Sequence, residues 1–261
     1  MNKNIPTALI QISIGTTTLL LDISSNQIIK FFVHLYPQIK SNKNNKYCAR
    51  GQIRLRGNTT KTDIDLKKQT FIISTPKKRP ALPVICDMLR GAVSQFLPLS
   101  NIFLMHASVI ISNNYAYIFA GSIGAGKSTI RKLLSSYTSY GDDSAVLELI
   151  HNTWRVYPSP FYETTKCVYS GKGMPIKGIY FIQKDTKTRV QKLPASTAYI
   201  EIAKNLKHYL IEPFSIKNNV PKFKTPIGMK VNALCEHAAK HIPCYTLNFS
   251  NKNLAFWKKI L

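Results

Sequence analysis

The sequence predicts an α/β protein: a mixed-sheet domain that carries a phosphate-binding loop, preceded by a small β-rich region. Three observations support that class. The stretch "YAYIFAGSIGAGKSTIRKLL" (115–134) sets an apolar strand, a glycine-rich turn and a helical pattern in immediate succession. Helical patterns at about 84–97, 196–210 and 228–241 are separated by runs rich in β-branched and aromatic residues. Residues 7–75 read as β-rich, which gives two expected parts, 1–83 and 84–261.

The elements follow in chain order. "LIQISIGTTTLLLDI" (9–23) and "QTFIIST" (69–75) alternate partly and favour strands. The uncharged stretch from Ile5 to Leu21 follows Lys3 and imitates a signal peptide. Gln11, Ser13, Thr16, Thr17 and Thr18 interrupt its apolar run, so it reads as strand. Polar basic loops are expected at 38–46 and 56–62, and a proline-punctuated linker at 74–83. Val84, Ile85, Met88, Leu89, Val93, Phe96 and Leu97 fall on one helical stripe, which Pro98 ends. Strands at 102–111 and 115–120, joined by "SNN", predict a hairpin. A helix from about 127 to 136 follows the glycine turn. "VLELI" (146–150) and "WRVY" (154–157) read as strands. "GIYFIQK" (178–184) and "TRVQKL" (188–193) suggest another hairpin around "DTK", and "CYTLNF" (244–249) is the last strand.

Composition bounds the function classes. With 261 residues, 44% apolar and 18% charged, the chain can bury a core and is not a disordered polymer. It has no 18-residue apolar run that would span a bilayer. Cys48, Cys86, Cys167, Cys235 and Cys244 are odd in number and loosely spaced. That argues against a disulfide framework and for a cytoplasmic protein. Thirty-six Lys and Arg face only 12 Asp and Glu, a net charge of +24. Such a field attracts nucleotides, nucleic acid, acidic peptides or anionic membrane surfaces. Biased codon usage accounts for part of the lysine content, but not for the scarcity of carboxylates.

Gly121-Ser122-Ile123-Gly124-Ala125-Gly126-Lys127-Ser128-Thr129 contains G-x-x-x-x-G-K-[ST], between a strand and a helix. Glycines let the backbone curl so that successive amides face phosphate oxygens, and the following helix adds its positive end. Lys127, expected as an exposed loop lysine, reaches the β- and γ-phosphates, and the Ser128 hydroxyl serves Mg²⁺.

Asp142 and Asp143, in "SYGDDSAVL", follow Ser128 by 14 and 15 residues. One carboxylate can help hold Mg²⁺ while the other accepts the proton of an attacking hydroxyl. Asp143 is paired with Ser128 on the metal side, although the division of roles stays open. Adjacent strand residues point to opposite faces, so both serve only through a bend, which Gly141 permits. A plain Gly-Asp-Asp turn is the competing reading. His106, in "LMHAS", sits on the strand two before the loop. "CEHAAKHIPC" carries His237 and His241 at i, i+4 between Cys235 and Cys244. Pro243 separates Cys244 from the helix face, so the histidines read as surface residues rather than zinc ligands.

Together, "HAS", the hairpin, the glycine loop and the Asp-Asp pair resemble the C-terminal catalytic domain of HPr kinase and its relatives. These share a P-loop fold with phosphoenolpyruvate carboxykinase. "MPIKGIYFIQK", "STAYIEIAKNL" and "IPCYTLNF…FW" extend the similarity over roughly 84–261. The resemblance implies that His106 lies beside the γ-phosphate and orients the acidic base. Ile123 replaces a common glycine, Thr129 replaces a usual Glu, and the front region is short. Those departures point away from HPr as acceptor. Some relatives phosphorylate peptides, including the C-terminal serine of lasso-peptide precursors.

The resulting expectation is a kinase using ATP, or another nucleoside triphosphate, with Mg²⁺. Its acceptor would be a hydroxyl, Ser on a peptide or small protein, and the basic field suits an acidic one. Catalysis would assign Lys127, His106, Asp142 and Asp143. The alternatives are a nucleotide-binding module without turnover and a basic nucleic-acid-binding protein. The second lacks an RNP-like strand, zinc finger or helix-turn-helix.

Overall fold

The computed structural model describes residues 8–35, 47–56, 59–76, 82–161, 171–206, 215–217, 220–222 and 225–249. The basic loop 38–46, linker residues 77–81, Cys167 and the closing Phe256-Trp257 lie outside the described residues. The protein is a mixed α/β structure with two mixed sheets. The chain divides into two compact units, Met1–Ser100 and Asn101–Leu261.

In the first unit, β1 (Ala8–Ile14) and β2 (Thr17–Ile23) form a hairpin within the expected long strand. Gly15 makes the turn with φ 60°. Helix α1 (Asn26–Leu35) then connects to β3 (Tyr47–Leu55), which pairs parallel to β2. The β-rich expectation for 7–75 includes no helix here. The helix begins at Ser25, whose Oγ accepts from the Ile28 amide, and it buries Ile28 and Phe32. Strands β4 (Lys61–Asp65) and β5 (Thr70–Thr75) complete the order β1-β2-β3-β5-β4. So β4 starts inside the expected loop at 56–62.

Helix α2 (Leu82–Ser94) buries Ile85, Leu89 and Val93 and packs on β5 and β4. A short 3₁₀ turn, Leu97–Ser100, follows. The division by packing therefore falls after α2, later than the 83/84 boundary read from sequence.

The second unit is built on β6 (Ile102–Ser112) and β7 (Tyr115–Ala120), the antiparallel hairpin with Asn113 and Asn114 at positive φ. After β7 come helix α3 (Lys127–Leu133), β8 (Thr138–Gly141), β9 (Ser144–Ile150) and β10 (Thr153–Tyr157). Next are β11 (Met174–Lys184), β12 (Arg189–Lys192), helix α4 (Ala195–Leu206), β13 (Ser215–Lys217), β14 (Val220–Lys222), helix α5 (Pro226–His241) and β15 (Cys244–Phe249). The main sheet runs β10-β9-β6-β7-β11-β15-β12, with β8 on β6. A further pairing of β10 with the start of β11 closes a ring through β9, β6 and β7.

The expected hairpin of 178–193 does not form. β15 inserts between β11 and β12, parallel to the first and antiparallel to the second. Parallel pairing with a distant strand leaves no local signature, whereas the nearby "DTK" imitates a hairpin turn.

Alternation places the core. Phe103, Met105, Ala107 and Val109 of β6 face a cluster with Ala198 and Ile202 of α4 and Val231 and Leu234 of α5. On the opposite face Tyr117, Phe119, Tyr180 and Leu247 pack with Ile130 of α3. Burying a side chain the size of Phe119 contributes about 1.5–3 kcal/mol. Helices thus cover both faces of the sheet, and the turn after β7 emerges at its end.

Candidate functional site

The glycine loop leaves β7 at Ala120 and enters α3 at Lys127. Gly124 has φ 76° and Gly126 φ 116°, a backbone that side chains rarely adopt. No heavy atom lies within 4 Å of a Cβ built on Gly124, so the loop has open space there. Ile123 is 82% exposed at the tip, and Ser122, Ser128 and Thr129 are exposed. Ala125 is buried and bonds back through its amide to Ser122 O, 3.0 Å.

Lys127 is not an exposed lysine: it is 7% exposed. Its Nζ donates to Gly121 O at 2.7 Å and Ser122 O at 3.0 Å. A buried ammonium needs such acceptors, and the loop's first carbonyls supply them.

His106, Asp142 and Asp143 meet where β6 changes partners. His106 is opposite Ser144 of β9, while Ala107 is already opposite Ala120 of β7. Between β8 and β9, Asp142 and Asp143 form a two-residue bend. Ala107 N donates to Asp143 O, 3.1 Å. His106 Nδ1 lies 3.1 Å from Asp143 Oδ1, with side chains 11% and 15% exposed. Asp142 is buried. Gly121, next to Ala120, is therefore one ladder step from Ala107 and the Asp143 backbone it bonds.

Gly141 is required by close approach: a Cβ there would meet Ser144 O at 2.2 Å. Gly141→Ala is expected to lower stability by about 1–3 kcal/mol, the scale of overpacking, and to displace the Asp142–Asp143 bend. Urea unfolding checks this; an unchanged midpoint would show that the bend tolerates the methyl.

Beside the loop is a cleft of about 330 Å³ lined by Gly124, Ala125, Gly126, Thr129, Lys184, Asp185 and Phe249. Lys184, Asp185 and Phe249 were not singled out in the sequence. One exposed lysine among 36 basic residues carries no local signal, and Phe249 arrives from the end of β15.

The histidine–cysteine cluster of α5 is arranged differently. Cys235 and Cys244 are buried, and burial pushes the Cys244 thiol up to about 12. Trp154 Nε1 donates to His237 Nδ1 at 3.0 Å, and His241 stacks on His237 at 4.0 Å. Burial, then the nearby His241 and Lys240, holds His237 below its ordinary value. Among the described residues, no group of three or more His, Cys, Asp or Glu is arranged to hold a metal ion. Among those residues, no helix is long and apolar enough to cross a membrane.

A family model described as SynChlorMet cassette protein ScmC matches residues 85–261. The chain belongs to the ScmC family. The match takes in His106, the whole glycine loop, both aspartates, Lys184 and Phe249, so every element of the site lies within the ScmC span. A comparison with curated proteins gives no match.

Proposed function

We propose that this chain is a Mg²⁺- and nucleoside-triphosphate-dependent kinase of the HPr kinase type, acting on a hydroxyl of a peptide or small protein. The observation that carries the reading is the adjacency of the glycine loop to the His106–Asp143 pair through Ala120 and Ala107. Helices on both faces of a mixed sheet, with the loop after its β6–β7 hairpin, support the P-loop fold read from sequence.

The residues fit a nucleotide. The space open at Gly124 and the cleft beside it leave room for phosphates against the loop backbone. Ser128 is exposed, and its hydroxyl would serve the metal. Mg²⁺ is commonly held by one or two carboxylates together with substrate phosphates, which suits an Asp pair. Bound nucleotide and Mg²⁺ would supply the phosphoryl group and neutralise much of its charge.

The chain's own groups do the rest. Lys127 stands at the root of the loop and offers a fixed positive charge. Its partners include the Gly121 and Ser122 carbonyls, and an ammonium with three donors can share these with a phosphate oxygen. His106 holds the Asp143 carboxylate at one oxygen and so orients it to accept the proton of an incoming hydroxyl. That assigns the base to Asp143 and the metal side to Asp142, exchanging the provisional roles taken from sequence. Positioning and charge complementarity are the main sources of rate in such a transfer.

The test is transfer of label from γ-labelled ATP with Mg²⁺ to polypeptides encoded in the same cassette, alongside phosphate release without acceptor. Label on serine supports the kinase. Tight nucleotide binding with neither transfer nor release would make the chain a binding module.

A further inference from the structure

We propose that Lys184 is a phosphate-binding residue, and that the cleft beside the loop takes the sugar and nucleoside-proximal phosphate of a nucleoside triphosphate. This rests on the kinase reading and adds a residue outside the loop motif.

The two lysines near the loop serve different sides of it. Lys127 turns toward Gly121 and Ser122, the end nearest His106 and Asp143. It does not line the cleft. The cleft lies against Gly124, Ala125, Gly126 and Thr129, and its cationic wall is Lys184. If the reacting phosphate belongs at the Asp143 end, the remainder of the nucleotide extends along the other side.

Lys184 is well held at its backbone. It is the last residue of β11, in register with Phe249 of β15. The Asp185 amide donates to Phe249 O, 3.1 Å, which locks the two strand ends together. The ring of Phe249 packs on the loop, since a Cβ on Gly126 would meet its Cδ1 at 3.3 Å. The adjacent carboxylate of Asp185 would ordinarily neutralise the lysine, but it is engaged elsewhere. Asn248 Nδ2 and the Thr186 and Lys187 amides donate to it, and Arg189 lies 3.4 Å away. These donors, Asn248 first, hold its carboxyl at about 2. Among the described residues Lys184 makes no ion pair, and it is exposed. In a cleft whose other lining residues are Gly124, Ala125, Gly126, Thr129, Asp185 and Phe249, the Lys184 ammonium is the group that suits a phosphate oxygen, while Thr129 and the Asp185 carboxylate suit the hydroxyls of a sugar.

The experiment titrates the full-length chain with N-methylanthraniloyl-ADP in Mg²⁺ and follows fluorescence. Lys184→Ala and Lys184→Gln should each weaken binding about tenfold or more, the scale of a lost charged hydrogen bond. Lys184→Arg should stay within about threefold of the parent, because the charge remains. Lys187→Ala is the control: it removes one charge from the same turn but not from the cleft lining, and should leave binding within about twofold. Unchanged melting temperatures would show that the variants are folded. Two results overturn the proposal alone: Lys184 variants that bind like the parent while Lys127→Ala does not, or equal losses at Lys184 and Lys187. A parent chain that binds neither this probe nor inorganic tripolyphosphate overturns the kinase reading, and this proposal with it.

Discussion

Replacing Lys127 by alanine is expected to abolish nucleotide-dependent phosphoryl transfer. A lysine at the end of a G-x-x-x-x-G-K-[ST] loop supplies a positive charge where negative charge is concentrated on the transferring group. No other loop residue from Gly121 to Thr129 is cationic. The structure adds a second consequence. Because Nζ bonds Gly121 O and Ser122 O, alanine also removes the donors that tie the loop's start to its end. Lys127→Met also loses the charge and these donors but keeps the aliphatic stem in its buried position, so comparison with alanine separates packing from the role of the ammonium. Both variants should lose transfer, and Lys127→Met should melt closer to the parent. Parental turnover in Lys127→Met would remove the loop from the reaction.

Asp142→Asn and Asp143→Asn are each expected to lower transfer by roughly 10²–10⁴, the scale of a lost general base. Nucleotide binding should suffer less. Asparagine keeps the shape of the bend and, at 143, an oxygen that can still face His106 Nδ1. What disappears is the ability to accept a proton. If Asp143 is the base, Asp143→Asn should lower kcat at every Mg²⁺ concentration, whereas the loss in Asp142→Asn should ease as Mg²⁺ is raised. Normal rates in both variants would return the pair to an ordinary Gly-Asp-Asp turn.

What could be read from sequence was what is local. The loop and its flanking strand and helix depend on spacing within 20 residues, as does the Asn113-Asn114 hairpin. The bend at Asp142–Asp143 was legible because Gly141 precedes two adjacent carboxylates. Its contact with His106 was accessible only through resemblance, since nothing in "HAS" fixes where a strand 36 residues later will lie. Helix α1 was hidden in "SNQIIKFFVHL", whose β-branched and aromatic residues favour strands until tertiary packing buries Ile28 and Phe32. β3 was hidden by a central glycine. Gly51 is there because Phe71 of the neighbouring strand takes its side-chain space, a Cβ meeting Phe71 Cζ at 2.2 Å. The insertion of β15 between β11 and β12 left no trace in either segment.

That insertion has a consequence for synthesis. During translation β11 and β12 leave the ribosome well before β15, yet β15 supplies the ladder that joins them. A nascent chain stalled before residue 244 has the glycine loop and both aspartates, but it lacks the strand that brings Phe249 against Gly126. Such long-range parallel pairing forms slowly relative to local contacts. The cleft is therefore completed late in the life of the nascent chain, and a translation intermediate carries the loop before the recess beside it is finished.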